Sequence, residues 1–369
     1  MSPRPASPSS SLPAADPGLR APARGTLAQP VNRFEPLSRE WQHDGWDIPE
    51  PEHRVERSVA QERAGKVISY NRSPDLGFDR AVNPYRGCEH GCIYCYARPS
   101  HAWLGLSPGL DFETRLIAKP DAPALLAREL GRRGYRVAPL VLGSNTDPWQ
   151  PVEAQHRITR ALLEVLRDWQ HPLSITTRGA LIERDIDILA PMAERNLVEV
   201  GISLTTLDAA LARAMEPRAP SPQRRLQIIA ALHQAGVPVR LMMAPVIPGL
   251  TDHEVESIMA AAREAGAQTA WWSLLRLPHE VSALFRDWLE RHRPDRAARV
   301  MRALHDQREG RDNDPRFGSR FRGTGPAAEL LRARIRLAQR RLGYAREAPP
   351  LDCTRFAPPP RAGDQLSLF

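Results

Sequence analysis

Lysine is nearly absent from this sequence of 369 residues: 49 of its 51 basic residues are arginine, and only Lys66 and Lys119 are lysine. Long apolar runs are also absent, and no stretch approaches the roughly 18 apolar residues that a membrane-spanning helix needs. The first residues, MSPRPASPSSSLPAADPG, lack the apolar run of a secretion signal, although an organellar transit segment has a similar composition. We therefore expect a cytoplasmic protein without membrane association.

Cysteine is scarce too, with four residues, and three of them (Cys88, Cys92 and Cys95) lie within eight positions. Three clustered cysteines and a distant Cys353 do not make the framework of a disulfide-stabilised secreted domain. Their distribution indicates a reducing compartment and a metal-binding role.

The positive charge is unevenly distributed. The formal net charge is +8, and residues 276–346 hold 18 Arg against 9 Asp or Glu. Because guanidinium groups pair well with phosphate oxygens, this block favours a phosphate-rich partner. A solvated helical surface is the alternative.

Residues 1–70 are poor in apolar residues and rich in proline, which predicts a mostly disordered region. Beyond Val82, short apolar runs alternate with amphipathic stretches. The runs predict strands at 137–143, 173–177, 198–204, 237–246 and 270–275. The stretches between them predict helices at 153–169, 183–195, 206–215, 222–235 and 252–265. With a first strand just before Cys88, this pattern predicts about six parallel βα units, in a partial barrel or a doubly wound sheet.

In either architecture, the loops after the carboxyl ends of the strands carry the chemistry. The cysteine loop lies on that rim, together with SNTDPWQ (144–150), TTRG (176–179), SLTT (203–206) and APVIPGLTD (244–252). After Leu277 the alternation ends, and Arg-rich helices are expected at 281–308 and 326–343.

The C-x3-C-x2-C spacing can direct three thiolates towards one centre. A zinc site of three cysteines with His90 or His101 is one interpretation. A redox pair of Cys92 and Cys95 is a second, although it leaves Cys88 without a role. An iron–sulfur cluster is a third, in which three thiolates leave one of four irons open for a ligand.

The stretch NPYRGCEHGCIYCYAR, with an aromatic residue before the last cysteine, resembles the signature of the radical S-adenosylmethionine superfamily. It is most similar to the branch that contains spore photoproduct lyase. TDPWQPVE (146–153), SLTTLD (203–208), EPRAPSP (216–222) and APVIPGLTD (244–252) are similar to that branch as well. The resemblance covers roughly residues 80–280.

This resemblance implies a partial (β/α)6 TIM-like barrel at 74–310, followed by an Arg-rich helical extension at 311–346 and a Pro-rich flexible tail at 347–369. It also implies a [4Fe–4S] cluster on the three cysteines, with S-adenosylmethionine chelating the open iron. An electron donor such as a flavodoxin or ferredoxin would reduce the cluster. Cleavage of S-adenosylmethionine would give a 5′-deoxyadenosyl radical that abstracts hydrogen from a substrate.

The resemblance also assigns roles to individual positions, for most of which an ordinary loop or packing role is the alternative. Tyr94 and Ile247 would contact the adenine. Polar residues after the second, third and fourth strands would contact the methionyl amino, ribose and carboxylate groups: Ser144, Asn145, Thr146, Thr176 and Ser203. Glu216 and Arg218 would form a charged pair in the active site.

One feature departs from the lyase, which returns a hydrogen atom to its substrate radical from a cysteine. No cysteine lies between Tyr96 and Asp352. Tyrosine is the expected substitute, with Tyr96 as our candidate and Tyr85 and Tyr135 as the others. The resemblance therefore implies the radical chemistry and not the thymine-dimer reaction itself.

The chain ends in QLSLF, which resembles the peptide by which bacterial repair and replication proteins bind the replicative sliding clamp. The expected anchors are Gln365, Leu366, Leu368 and Phe369. The leading hypothesis is thus a radical enzyme that acts on DNA, in repair. Modification of RNA or protein is a second hypothesis, and a non-catalytic, metal-stabilised DNA-binding accessory protein is a third.

Overall fold

The computed structural model describes residues 19–20, 23–34, 53–54 and 56–359. The clamp-like residues at 365–369 lie outside this part of the chain. Twelve strands are present in the described residues: β1 (Leu19–Arg20), β2 (His53–Arg54), β3 (Ser58–Gln61), β4 (Ile68–Tyr70), β5 (Arg80–Val82), β6 (Tyr85–Arg86), β7 (Arg115–Ala118), β8 (Leu140–Leu142), β9 (Leu173–Thr177), β10 (Val198–Ser203), β11 (Val239–Val246) and β12 (Thr269–Leu274).

Eleven α-helices connect or cover these strands in the same part of the chain: α1 (Asp111–Thr114), α2 (Ala122–Leu130), α3 (Glu153–His156), α4 (Ile158–Asp168), α5 (Ile186–Glu194), α6 (Ala209–Met215), α7 (Pro222–Gln234), α8 (Val255–Glu264), α9 (Glu280–His292), α10 (Pro294–Asp306) and α11 (Gly325–Arg341). None of the helices that the structure describes is both long and apolar enough to span a membrane.

The main sheet has seven strands in the order β12-β11-β10-β9-β8-β5-β4. β5 and β8–β12 are mutually parallel, and β4 is added antiparallel at one edge. The six parallel strands confirm the predicted partial (β/α)6 architecture. Most of their side chains are buried, so the strands appear in the sequence as nearly continuous apolar runs.

The segment 314–323 contacts both edges of this open sheet. At one edge, the Leu274 N–H donates to the Phe321 carbonyl at 2.8 Å. At the other, Arg320 Nε lies 2.7 Å from Asp75 Oδ2 in the loop between β4 and β5. Part of the Arg-rich extension therefore bridges the open side of the barrel.

Residues 56–70 lie in a region that the sequence predicts to be mostly disordered, but they contain two strands, β3 and β4. β3 pairs with β7 in a second, three-stranded sheet, and β4 joins the main sheet. Residues 23–34 pack beside the cysteine loop, where the Leu110 N–H donates to the Ala28 carbonyl at 3.1 Å.

Two predicted helices are each divided into two. The predicted helix at 153–169 is interrupted at Arg157, whose φ of 51° is left-handed and cannot continue a right-handed helix. The predicted helix at 281–308 is interrupted at Arg293, and Pro294 starts α10 because it has no N–H to donate to the preceding turn. In α4 the buried side chains recur at helical spacing, at Ile158, Leu162 and Leu166.

Candidate active site

The loops at the carboxyl ends of the parallel strands meet on one rim of the barrel. The three cysteines lie on the loop that follows β5 and β6, and the predicted contacts of S-adenosylmethionine follow β8, β9, β10 and β11. Parallel topology alone brings these segments together, because successive strands all end at the same edge.

The conformation of the cysteine loop depends on backbone hydrogen bonds and on a glycine. The Cys88 N–H donates to the Phe112 carbonyl at 2.9 Å, and the Cys95 N–H donates to the Cys92 carbonyl at 3.2 Å. Gly91 has a φ of +68°, and a Cβ there would lie 2.6 Å from Glu113 Oε2. This position therefore requires glycine, for conformation and for space.

Arg98 is the main internal support of this loop. Its guanidinium group is fully buried and donates to the carbonyls of Cys92 at 3.0 Å and Gly91 at 3.3 Å. It also donates to Gly109 at 2.9 Å and pairs with the buried carboxylate of Glu113. A charged group taken out of water is tolerated here because its donors are satisfied.

The three thiols are free neighbours: Cys95 packs against the apolar clusters that contain Cys88 and Cys92. Burial raises the pKa of Cys92 to about 12, although Arg178 beside it lowers that pKa. Burial also raises the pKa of Cys88. Without a metal, Cys88 and Cys92 are therefore neutral thiols, and their conversion to thiolate ligands depends on the charge of a bound metal centre.

The donor set fits a cluster better than a single ion. Among the described residues, no three His, Cys, Asp or Glu side chains converge as the ligands of one metal ion do. The histidines of the zinc interpretation have other partners, since His90 Nδ1 lies 3.3 Å from Asp147 Oδ2 and His101 Nε2 lies 3.0 Å from the Arg115 carbonyl. A cubane takes each thiolate on a different iron, so its ligands surround it and need not meet at one point.

Arg178, the first residue after β9, connects the cysteine loop to the rest of the rim. Its Nη1 lies 3.0 Å from Cys92 Sγ, 2.8 Å from the Tyr94 hydroxyl and 2.9 Å from Glu216 Oε1. Its Nη2 lies 3.3 Å from the Ser203 hydroxyl. One guanidinium group thus contacts a candidate cluster ligand and candidate cofactor-binding residues from two further segments.

Glu216 is a buried carboxylate between two arginines. Arg225, which is 1% exposed, forms an ion pair with Glu216, and Arg178 forms the other. Tyr94 donates its hydroxyl to the same carboxylate. Burial raises the pKa of Glu216, but the two guanidinium groups outweigh burial and lower that pKa to about 2. Glu216 is therefore ionised at neutral pH and orients Tyr94 and Arg178.

Asp147 plays a similar part in the loop after β8. It accepts hydrogen bonds from the Thr177 hydroxyl at 2.6 Å and from the Arg178 N–H at 2.9 Å. Burial raises its pKa, whereas His90 and then Thr177 lower it, to about 2. The carboxylate links the cysteine loop to the end of β9.

The predicted residues after β8 are organised by Asn83. Asn83 Nδ2 donates to the Ser144 hydroxyl at 3.1 Å, and the Asn145 N–H donates to Asn83 Oδ1 at 3.0 Å. The Thr146 hydroxyl is buried and donates to the Tyr85 carbonyl at 3.1 Å. Ser144 and Asn145 therefore line the rim, whereas the hydroxyl of Thr146 is used within the fold.

The remaining predicted contacts lie on neighbouring strands. Thr176 is half-buried in β9 and pairs with Gly201 of β10. Ser203 ends β10 and accepts from Arg178. Ile247 directly follows β11 and lies in one buried apolar cluster with Tyr94. The structure thus brings Ile247 and Tyr94, the two residues assigned to the adenine, into one cluster.

The expected pairing of Glu216 with Arg218 is wrong. Arg218 Nη2 lies 3.2 Å from Glu89 Oε1, and its backbone N–H donates to the His90 carbonyl at 3.4 Å. Residues two apart project in different directions at the end of a helix, so the pair diverges. Arg218 supports the cysteine loop from outside.

The three candidate tyrosines occupy different places. The Tyr85 ring is fully buried, and its hydroxyl donates to Glu153 Oε2 at 2.5 Å. Tyr135 lies at the amino ends of the strands, with its hydroxyl 2.8 Å from His171 Nε2. Tyr96 alone of the three lies on the rim, 55% exposed, with its hydroxyl bonded to the Ser144 carbonyl.

Cys353 lies at the opposite end of the barrel from the cysteine loop. The adjacent Asp352 N–H donates to the carbonyl of Asn196, which precedes β10, at 2.9 Å. Phe356 stacks on Trp169 with ring centroids 5.9 Å apart. The length of β10 separates this place from the rim by about 20 Å, so Cys353 cannot act on a substrate there.

Sequence reasoning missed four of the supporting residues. Arg178 and Asp147 lie within TTRG and SNTDPWQ, so their position directly after a strand was an available signal. Arg98 and Arg225 lie in helical segments, where nothing in the local pattern distinguishes a buried arginine from an exposed one.

Comparison with known proteins agrees with this geometry. The model of the radical SAM superfamily matches residues 82–262. An uncharacterised protein of Mycobacterium tuberculosis (strain ATCC 25618 / H37Rv) is 36% identical over 280 residues, which are 74% of this chain and 78% of that protein. An uncharacterised protein of Methanocaldococcus jannaschii is 27% identical over 233 residues, 63% of this chain and 83% of that protein.

The chain belongs to the radical SAM superfamily. It is therefore a radical SAM enzyme, whose cofactors are a [4Fe–4S] cluster and S-adenosylmethionine. Among solved structures, its fold is similar to spore photoproduct lyase with bound AdoMet and dinucleoside spore photoproduct. That likeness has a TM-score of 0.54 and 14% identity, and it covers 77% of this chain and 78% of the lyase chain. At that identity it shows the shared fold.

Proposed function

We propose that this radical SAM enzyme abstracts hydrogen from a damaged base in DNA, in a repair reaction related to that of spore photoproduct lyase. When bound on Cys88, Cys92 and Cys95, the cluster supplies the electron that cleaves S-adenosylmethionine to methionine and a 5′-deoxyadenosyl radical. The residues of the chain bind, orient and shield these groups.

Arg178 and Ser203 are suited to bind the carboxylate of S-adenosylmethionine. The guanidinium group is anchored by Glu216 on one side and by the Ser203 hydroxyl on the other, and it lies beside the cluster ligand Cys92. A planar guanidinium binds a carboxylate through two parallel hydrogen bonds. Ser144 and Asn145 at the end of β8 would bind the amino group, and Thr176 the ribose.

Tyr94 and Ile247 would pack against the adenine, because both belong to the apolar cluster beneath the cysteine loop. Glu216 holds Tyr94 and Arg178 in place through charge and hydrogen bonds, and Arg218 fastens the loop through Glu89. We assign Glu216 and Arg218 positioning roles. Tyr96 is the proposed hydrogen-atom donor to the substrate radical, because it is the candidate tyrosine on the rim.

The distribution of arginine supports a DNA substrate and carries this proposal. Of the 18 arginines at 276–346, seven form ion pairs with carboxylates. The other eleven have no carboxylate partner among the described residues. Unneutralised arginine on one part of a protein attracts the phosphates of a nucleic acid.

The partners follow from the same proposal. A flavodoxin or ferredoxin would supply the electron, and the sliding clamp would bind the QLSLF peptide and hold the enzyme near DNA. The last backbone hydrogen bond of the described chain to the barrel is that of Ala357, whose N–H donates to the Trp169 carbonyl at 3.2 Å, at the end opposite the rim. Attachment at that end would leave the rim open to substrate. A cytoplasmic location agrees with the use of free thiols.

The experiment uses anaerobically reconstituted protein, dithionite and S-adenosylmethionine, and measures 5′-deoxyadenosine with and without ultraviolet-irradiated DNA. We expect product formation to increase with irradiated DNA and to vanish when Cys88, Cys92 and Cys95 are all replaced by Ala. If the amount of 5′-deoxyadenosine did not depend on DNA, RNA or protein would be favoured as the substrate. No product from protein with an intact cluster would favour the non-catalytic alternative.

A further inference from the structure

Arg276 stands out on the rim because its charge has no partner in the part of the chain that the structure describes. It follows β12 by two residues, at the carboxyl edge of the sixth parallel strand. It forms no ion pair among the described residues, and its Nε is buried without a hydrogen-bond acceptor. Most guanidinium groups in such positions are satisfied, so an unpaired one indicates a ligand.

An aromatic ring holds this guanidinium group in place. Its central carbon lies 5.2 Å from the ring centroid of Phe321, on the segment that bridges the two edges of the sheet. Arg320 lies 4.7 Å from the same ring, but Asp75 neutralises it. Stacking on an aromatic ring fixes the direction of a guanidinium group without consuming its hydrogen-bond donors.

A second, deeply buried cation lies close to Arg276. Arg308 is 1% exposed, and it donates to the carbonyls of Leu275 at 2.9 Å and Leu274 at 3.2 Å, while its Nη1 has no acceptor among the described residues. Burial and then the charge of Arg276 lower the pKa of Arg308 to about 10, so it remains a cation at neutral pH.

The two carboxylates that act electrostatically on Arg276, Asp75 and Asp314, are already paired with other arginines. Asp314 acts electrostatically on both Arg276 and Arg308, but it forms its ion pair with Arg316, at 2.9 Å between Nε and Oδ1. Arg308 is buried and Arg276 beside it is half-buried, and neither has a carboxylate of its own among the described residues. Such a pair of cations is costly, and an anion that binds Arg276 reduces that cost.

Exposed aromatic rings around Arg276 favour a nucleic acid over an acidic peptide. Tyr96 is close enough to interact electrostatically with Arg276, and its ring is 55% exposed. Phe317, on the bridging segment, is 60% exposed. Arginine interleaved with exposed aromatic rings binds single-stranded nucleic acid, through phosphate contacts and base stacking respectively.

We propose that Arg276, with Arg308 behind it, is a phosphodiester subsite that positions the substrate strand at the rim of the barrel. This inference rests on the proposed action on nucleic acid and names the group that would bind one backbone phosphate of the substrate. Tyr96 then lies beside the neighbouring base, where the proposed hydrogen donor is needed.

The test measures binding rather than turnover. Arg276→Gln is compared with Arg133→Gln, which removes an exposed arginine in the loop between α2 and β8 that has no ion pair among the described residues and lies outside the Arg-rich segment. Fluorescence anisotropy of a labelled, ultraviolet-irradiated oligothymidylate is recorded for the anaerobic full-length proteins over a range of NaCl concentrations. We expect Arg276→Gln to weaken binding about tenfold and to reduce the salt slope by about one. Arg133→Gln should leave both within about twofold of wild type.

A conservative variant, a folding control and a second oligonucleotide distinguish the possible explanations of a change in binding. Arg276→Lys retains the charge and should retain most of the salt slope, and circular dichroism of each variant reports folding. Equal affinities of Arg276→Gln and Arg133→Gln would refute the subsite without refuting the DNA substrate. Dependence on Arg276 for an oligouridylate but not for DNA would support the phosphodiester subsite and overturn the DNA proposal. Binding of neither oligonucleotide by wild type would refute both.

Discussion

Replacing Glu216 by Gln should destabilise the protein more than any surface carboxylate replacement. The substitution leaves Arg225, which is 1% exposed, with a charge that no carboxylate neutralises. Removal of one partner from a buried ion pair costs about 3–5 kcal/mol. The pKa gives a similar figure: a carboxyl group at about 2 instead of its ordinary 4.5 contributes about 3 kcal/mol at neutral pH.

The matched control is Glu256→Gln. Glu256 also pairs with an arginine, Arg334, at 2.6 Å, but the two side chains are 46% and 33% exposed. Exposed pairs contribute about 0–1 kcal/mol. Urea unfolding of both variants in the cluster-free, reduced state, followed by tryptophan fluorescence, compares the two losses directly. A loss for Glu216→Gln within about 1 kcal/mol of the control would refute the assigned charge network.

The pH dependence supplies an independent check. Because the pKa of Glu216 is lowered on folding, its contribution is complete above about 4.5 and is lost as the pH falls towards about 2. The difference in unfolding free energy between wild type and Glu216→Gln should therefore be constant from about pH 5 to pH 8. The difference should become smaller below pH 4.5, because the carboxylate of Glu216 is then increasingly protonated. If the difference in unfolding free energy increased as the pH fell, the lowered pKa of Glu216 would be contradicted.

Two further outcomes are expected. Gly91→Ala should cost about 1–3 kcal/mol and lower the iron content after reconstitution, because a Cβ at a φ of +68° would lie 2.6 Å from Glu113 Oε2. The control is Gly77→Ala, because a Cβ at that position would have no atom within 4 Å, and it should change the free energy of unfolding by less than about 1 kcal/mol. Equal losses of stability for the two variants would contradict the role assigned to Gly91. Cys353→Ala should leave cluster-dependent 5′-deoxyadenosine formation within about twofold of wild type, because the thiol lies at the far end of the barrel; a loss beyond about tenfold would disprove that placement.

The strand pattern was predictable because parallel strands are buried on both faces. The run at 173–177 coincides with β9, and the predicted strand at 198–204 matches β10 to within one residue. Helix interruptions were harder to predict. The Pro294 that starts α10 is visible in the sequence, but the left-handed Arg157 between α3 and α4 is not, because any residue can occupy that conformation when tertiary contacts favour it.

The arginines of 276–346 show that composition does not reveal the role of an individual charged residue. The sequence shows eighteen arginines at 276–346, and it suggested one basic block. In the structure, Arg320 bridges the edges of the sheet through Asp75, and Arg308 is buried beneath the rim. Arg276 lies on the rim without an ion-pair partner among the described residues. Residues of one type, a few dozen positions apart, thus have three different roles.

The sequence by itself determined the order of the parallel βα units, the three cysteines of the loop and the rim on which they lie, since these follow from local patterns and from strand direction. Only the tertiary structure decided which charges are paired. The structure pairs Arg98 with Glu113 and Arg225 with Glu216, and it separates Arg218 from Glu216. Each of these outcomes depends on how the segments pack in the fold. The burial of a guanidinium group is determined by those partners and not by its neighbours in the chain.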